Sequence, residues 1–244
     1  ALTHAGLGEI TVTIGENLSY ETEQMITGKA KDLCGIAFGD LAVMLLENPH
    51  FIHTHALLQD EDFIRGKVPM TKFAVRQLSL AALQVQPQDV VYDIGAGTGS
   101  VAIAACRLAR ESFVYAIEKN AEALDLLAQN RLKHGAYNLV IQSGTAPEAL
   151  AELPAPNKVF LGGSGGNLDA ILQALLQKTS AFRLVINAVT LETLQEAQFC
   201  LQKYGFAYEV MAVNIAKAEK AGNYHIMKAQ NPVYIISAEK LNGE

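Results

Sequence analysis

Tryptophan is absent, and cysteine, proline and charge are all scarce. The three cysteines, Cys34, Cys106 and Cys200, lie far apart and form no Cys-x-x-Cys pair. That spacing offers neither a disulfide framework nor a thiolate zinc site, and it fits a reducing compartment where cysteines serve as small apolar residues. No apolar run reaches the roughly 18 residues of a membrane-spanning helix, and no signal-peptide pattern opens the chain. A cytoplasmic protein with no membrane partner is the expectation. Nineteen basic residues face 25 acidic ones, a net charge of −6. A general nucleic-acid binder needs a basic face, so no nucleic-acid partner is expected. The first residue is alanine, which suggests a processed form or a piece of something longer. What is plentiful is core material. Half of the 244 residues are hydrophobic and only 18% are charged, enough for one large domain or one domain plus a fragment.

From about residue 81 the chain alternates. "DVVYDI" (89–94), "FVYAIE" (113–118), "NLVIQ" (138–142), "KVFLGG" (158–163) and "FRLVIN" (182–187) read as buried strands. Helical patterns separate them at "SVAIAACRLAR", "NAEALDLLAQNRLKHG", "LDAILQALLQK" and "LETLQEAQFCLQKYG", with Asn120 and Thr190 as N-caps and Gly135 as a stop. Short strands alternating with helices of this length build βαβ units and a mostly parallel sheet. "FAYEVMAVNIA" (206–216) and "NPVYIISAE" (231–239) have only "KAEKAGNYHIMKAQ" between them, too polar and short for a packed crossover. An antiparallel pair at the sheet edge is expected there. Residues 1–58 stand apart from 59–244. "EITVTIGENLS" (9–19) reads as a strand with a turn, "TGKAKDLC" (27–34) as a short helix, "DLAVMLLENP" (40–49) as a buried strand, and residues 50–67 as a connector. So few elements would be marginal alone.

The first βα turn is the favoured ligand position in such a sheet, and here it reads "DIGAGTGS". Gly95, Gly97 and Gly99, with Ala96 and Thr98 between them, give G-x-G-x-G. The dinucleotide fingerprint wants a third glycine where Ser100 stands, and a P-loop wants a lysine that is missing. S-adenosylmethionine has no phosphates but needs close backbone approach, which glycines permit. Glu118, at the end of the next strand, can accept hydrogen bonds from both ribose hydroxyls; nicotinamide cofactors use the same device, so the acid alone does not discriminate. Asp93 supports the loop or the ammonium end of the cofactor. The expected fold is the class I S-adenosylmethionine-dependent methyltransferase, Rossmann-like, with a mostly parallel sheet and an antiparallel C-terminal edge.

Two flanking segments face the acceptor side. Arg65, Lys67, Lys72 and Arg76 fall within twelve positions, either as a solvated charged face or as an anion site suited to substrate carboxylates. Gly162, Gly163, Gly165 and Gly166, around Ser164, form either a flexible turn or a surface on which a large flat ligand meets backbone. Asn187 ends the fifth strand on the same side. His50, His53 and His55 sit in the connector as surface residues or, given further ligands, a metal site; no metal is expected. No Ser-His-Asp or Cys-His set is visible, so no catalytic residue is assigned.

"DEDFIRGKVPMTKFAVRQLSLAAL", "VYAIEKNAEAL", "VFLGGSGG", "INAVTLET" and "KAQNPVYIISAE" together resemble the CbiT family, the C15-methylating, decarboxylating enzymes of cobalamin biosynthesis. Residues 1–58 resemble the C-terminal end of the CbiE tetrapyrrole methylases, an order found in fused CobL-type C5,15-methyltransferases. The resemblance implies S-adenosylmethionine as methyl donor and a precorrin as substrate, methylated at C15 with loss of the ring-C acetate carboxyl. It implies contacts to the donor from Thr71, Gly95 to Gly99, Glu118 and Ala146, although Thr145 stands where relatives often carry an acid. Arg65, Lys72, Gly162, Gly163, Ser164, Gly165 and Asn187 are the implied substrate contacts, and a homotetramer the implied assembly. The competing readings are a methyltransferase acting on tRNA or protein and a non-catalytic subunit that binds S-adenosylmethionine.

Overall fold

The computed structural model describes residues 2–3, 6–49, 57–163 and 165–240. The chain divides into two compact units, Ala1–Ala56 with Leu132–Tyr137, and Leu57–Arg131 with Asn138–Glu244.

In the first unit, β1 (Thr11–Glu16) lies between β2 (Gln24–Lys29) and β3 (Ala42–Glu47), antiparallel to both. Ile10, Val12, Ile14 and Ala30 form its small core, with Leu7, Leu33 and Phe38 packed against them. Two expectations fail here. The "TGKAKDLC" stretch is no helix, because Thr27 and Gly28 pair with Thr13 and Val12 in the sheet. After β2 the chain makes a single turn in which the Lys29 carbonyl accepts from Asp32 and Leu33. The strand at 42–47 does form but is not buried: Val43 is 60% exposed and Leu45 61%. It is an edge strand of a three-stranded sheet, and among the described residues of this unit nothing covers it.

The second unit opens with α1 (Phe73–Leu83), followed by β4 (Val91–Ile94), α2 (Ser100–Cys106), β5 (Val114–Glu118), α3 (Ala121–Lys133) and β6 (Leu139–Ser143). Then come β7 (Lys158–Leu161), α4 (Leu168–Lys178), β8 (Phe182–Ala188), α5 (Leu191–Lys203), β9 (Ala207–Val213), β10 (Ala216–Ala221), β11 (Tyr224–Ala229) and β12 (Val233–Lys240). Seven strands form one sheet in the order β6-β5-β4-β7-β8-β12-β9, parallel from β6 to β8, with β12 antiparallel to both neighbours. Helices on both faces explain why the central strands are continuous apolar runs rather than alternating ones; all four residues of β4 are buried. Helix α4 buries Leu168, Ile171, Leu172 and Leu175, spaced i, i+3, i+4 and i+7. Each such side chain contributes about 1.5–3 kcal/mol. Asn120 accepts from the Ala123 amide at 3.0 Å, and Thr190 accepts from the Thr193 amide at 3.1 Å, so both act as caps.

The expected antiparallel edge is present, with Ile235 opposite Met211. Its connection is not a plain loop, however. β10 and β11 pair with each other as a separate hairpin, turning at Gly222 and Asn223 with Ala221 opposite Tyr224. Helix α1 also escapes the sequence pattern, because Arg76 and Ser79 sit on its buried face and interrupt the apolar period.

Arg76 corrects the reading of the basic segment. It is fully buried, ion-paired to Asp60 at 3.4 Å, and donates to the carbonyls of Leu58 at 2.6 Å and Thr71 at 2.9 Å. Its guanidinium lies 4.9 Å from the centre of the Phe63 ring, and Asp60 also accepts from the Phe73 amide at the start of α1. The side chain thus fastens residues 58–71 to the helix and is not available to a substrate. Arg76→Met should destabilise the protein by roughly 3–5 kcal/mol, because Asp60 is left as an uncompensated buried charge. Urea unfolding of the two proteins measures this, and a difference below about 1 kcal/mol would mean the pair is not structural.

Candidate functional site

The C-terminal ends of β4, β5, β7 and β8 converge on one edge of the sheet, the side where parallel α/β sheets bind ligands. After Ile94 the chain turns through Gly95, Ala96, Gly97, Thr98 and Gly99 into α2, and the three glycines have φ of +77°, +55° and +79°. At Gly99 a Cβ would stand 2.1 Å from Leu127 Cδ1, inside the core. At Gly95 it would stand 3.2 Å from the Gly163 carbonyl oxygen, and a Cβ on Gly162 would meet the Gly95 oxygen at the same distance. The two glycine turns therefore touch backbone to backbone. A side chain on Gly95 or Gly162 would push them apart.

Two carboxylates hold this loop. Gly99 caps α2 without a side chain, and buried Asp93 takes over that role, its Oδ2 accepting from the Ala102 amide at 2.8 Å. Asp93 Oδ1 and the buried Thr98 hydroxyl have no partner. Glu118 accepts from three backbone amides at 2.8 Å: Gly97 on Oε2, and Lys119 and Asn120 on Oε1. A carboxylate has about four acceptor sites, so ribose hydroxyls would meet one whose orientation is already set. The third support is Asn130 on α3. It accepts from the Ile64 amide at 2.7 Å and donates to the Ile64 and Thr98 carbonyls, joining the preceding segment to the loop.

Two hollows flank the loop. The smaller, about 180 Å³, is lined by Ile94, Ile117, Glu118, Thr145, Ala146, Gly165 and Ile171 among others. Its apolar walls and the carboxylate at its edge suit a purine and its ribose. The larger, about 920 Å³, runs from Lys67, Thr71 and Lys72 past Gly95 to Gly97 and Glu118, to Gly162, Gly163, Asn187 and Asn231. Gly95, Glu118 and Gly163 line both.

Most of the residues singled out in the sequence thus gather here. Thr98 and Gly99 shape the turn without lining either hollow, and Thr71 contributes its carbonyl to Arg76 and Ser100. Arg65 is exposed and is not among the residues lining the large hollow; Lys67 and Lys72 are. Ser164, His50, His53 and His55 lie outside the described residues. Gln230 and Asn231, which precede β12, and Ser79, which donates to Asn187 Oδ1 at 3.0 Å, were not anticipated. Their only sequence signal is polarity beside an apolar run, which is also what a loop looks like.

The open cradle over Gly95 and Gly97, the fixed carboxylate and the apolar slot at Ala146 fit S-adenosylmethionine. Glu118→Gln should weaken its binding at least tenfold, about 1.4 kcal/mol, because an amide cannot accept on both termini as the carboxylate does. Calorimetric titration measures this, and unchanged affinity would remove Glu118 from the site. Asp93 predicts a pH effect. Burial, reinforced by the charge of Glu118 and opposed by the Ala102 amide, raises its carboxyl to about 7, against about 3.9 when unfolded. Between these values the folded state holds the extra proton, so this contribution to stability is complete below about 4 and is lost as the pH rises through about 7. In Asp93→Asn that decline should vanish, and urea midpoints measured from pH 4.5 to 7.5 with identical slopes for both proteins would refute the assignment.

Comparison with known proteins agrees with this geometry. A family model described as a precorrin methyltransferase domain matches residues 62–240. A Salmonella typhimurium protein named cobalt-precorrin-6B C(15)-methyltransferase (decarboxylating) is 37% identical over 186 residues, 75% of this chain and 96% of that protein. A Pyrobaculum calidifontis relative named for the same activity is 42% identical, over 74% of this chain and 94% of its own length. The crystal structure of a precorrin-6Y C5,15-methyltransferase from Geobacter metallireducens superimposes with a TM-score of 0.71 at 40% identity, covering 74% of this chain and 96% of that one. An S-adenosylmethionine-dependent O-methyltransferase from Thermotoga maritima, only 16% identical with a TM-score of 0.63, shares the fold alone. The fold is that of the class I methyltransferases, the methyl donor is S-adenosylmethionine, and the chain belongs to the precorrin methyltransferase family.

Proposed function

We propose that this protein methylates C15 of a precorrin and releases the carboxyl of its ring-C acetate as carbon dioxide, a step of cobalamin biosynthesis. The observation that carries the reading is the hollow of about 920 Å³ adjoining the donor loop. It lies near the upper end of the 300–1,000 Å³ usual for small-molecule sites, and two lysines line it.

Bound S-adenosylmethionine supplies an electrophilic methyl group, so the protein has chiefly to align donor and acceptor, which by itself removes several kcal/mol of barrier. Gly95 and Gly163 let both ligands approach backbone. Lys67 and Lys72, both exposed on the segment before α1, take carboxylates of the substrate periphery, a role in which Lys67 replaces Arg65, which is not among the residues lining the hollow. Thr71, Gly95 to Gly97, Glu118 and Ala146 hold the donor on a turn shaped by Thr98 and Gly99; Gly162, Gly163 and Asn187 face the acceptor, whereas Gly165 lines the smaller hollow on the donor side.

Residues 1–58 we read as the C-terminal end of a CbiE-type domain, which makes the chain part of a fused C5,15-methyltransferase. For assembly we propose a homotetramer. The β10–β11 hairpin supports it, being exposed along its whole length with Tyr224 77% exposed and Met227 67%; light scattering reads the mass directly. A cytoplasmic location accords with the described residues, in which no helix is long and apolar enough to cross a membrane.

Incubated with S-adenosylmethionine and cobalt-precorrin-6B or its cobalt-free counterpart, the protein should yield a product that has gained one methyl group and lost carbon dioxide, read by mass spectrometry. No change of mass would overturn the reading. Replacing Lys67 and Lys72 together with alanine should raise the KM for the precorrin roughly tenfold, about 1.4 kcal/mol, with donor affinity unaffected.

A further inference from the structure

Among the described residues lining the large hollow, one has a buried side-chain polar atom without a partner. Asn187, the penultimate residue of β8, is 9% exposed. Fully buried Ser79 on α1 donates its hydroxyl to Asn187 Oδ1 at 3.0 Å, which orients the amide and leaves Nδ2 unbonded. Beside it the same hollow is lined by buried Val75 and half-buried Val233, while its lysines and Val189 are exposed. It thus offers charged donors in solvent and one neutral donor in a desolvated wall.

An N–H donor with no partner calls for an acceptor, and the acceptors that a precorrin carries in quantity are carboxylates. We propose that Asn187 Nδ2 binds the acetate carboxylate that is lost as carbon dioxide, and that Ser79 is its positioning residue. The inference rests on the function proposed above. In the step, the bond between the acetate methylene and the carboxylate carbon breaks. Its electron pair passes into the conjugated macrocycle, carbon dioxide leaves, and the methylene takes a proton from water to become a methyl group. A lysine at this place would stabilise the carboxylate's charge and oppose its dispersal. A neutral amide fixes direction while compensating little charge, so the charge-dispersed transition state gains relative to the bound carboxylate.

The test compares wild type, Asn187→Leu, Asn187→Asp and Ser79→Ala with cobalt-precorrin-6B and S-adenosylmethionine, following carbon dioxide release, product mass and donor affinity. Asn187→Leu should slow carbon dioxide release at least tenfold while donor affinity stays within twofold. Asn187→Asp keeps the size of the side chain and can still accept from Ser79, but it sets a negative charge against the substrate; it should release carbon dioxide at least a hundredfold more slowly. Should the leucine variant fail to fold, the aspartate variant decides. Ser79→Ala should lower kcat for carbon dioxide release about threefold or more with KM unchanged, and Ser79→Thr should restore it. Carbon dioxide release within threefold of wild type in either Asn187 variant would overturn the assignment, and in the aspartate variant would show that the substrate does not need a donor there. A wild type that neither methylates nor decarboxylates would overturn the proposed function and this inference together.

Discussion

Everything at the ligand edge depends on a contact without side chains. The turns after β4 and β7 meet through Gly95 on one side and Gly162 and Gly163 on the other, and a Cβ on Gly95 or on Gly162 would press on the backbone of the facing turn. The two strands are neighbours in the sheet, with Ile94 beside Leu161, so their turns have to share one small volume. Because they do, a single wall separates two hollows, and the residues of that wall belong to both. A methyl group passing between donor and acceptor needs such a short path. Bulk at either turn would lengthen it.

The loop is stiffened from beneath by acids whose roles are mostly internal. Asp93 caps α2 in place of the side chain Gly99 lacks, and Glu118 gathers three amides that would otherwise point at solvent or at one another. Sequence spacing marks Glu118 as a ribose ligand but gives no hint that it first organises the protein. Both tasks are compatible, since fixing the carboxylate in advance removes an ordering cost from binding. Asp93 sits deeper, and burial raises its carboxyl to about 7, so below neutrality it carries a proton, which limits repulsion from Glu118.

The parallel core was legible because burial on both faces leaves strong apolar runs. The donor loop was legible because glycine at three alternate positions after a buried strand marks a backbone that must bend sharply and stay bare. The features that escaped the sequence did so for physical reasons. Helix α1 hides its period behind Arg76 and Ser79, polar residues whose partners, Asp60 and Asn187, are 16 and 108 positions away. The β10–β11 hairpin is too polar to look like sheet, and only the Gly222-Asn223 turn betrays it. The strand at 42–47 reads as buried from composition, yet burial depends on what lies across from it, and sequence composition carries no such information. Arg76 is the sharpest case: within a run of basic residues it looks like a ligand for anions, and only its complete burial shows it to be a fastener.

The two sides of the site are therefore specified by different means. The donor side is backbone, glycine and two acids, so it tolerates change in neighbouring side chains provided the turns keep their shape. The larger hollow, the proposed acceptor side, is lined by side chains drawn from distant places: Lys67 and Lys72 before α1, Asn187 on β8, and Gln230 and Asn231 before β12. Lysines in solvent can hold flexible carboxylates of almost any geometry, which gives affinity with little discrimination. The buried amide of Asn187 offers one direction only, and leaving it unbonded is costly, so a ligand lacking an acceptor there is disfavoured. On the proposed reading, selectivity for one acceptor resides at this buried donor, while the glycine turns serve any acceptor that fits.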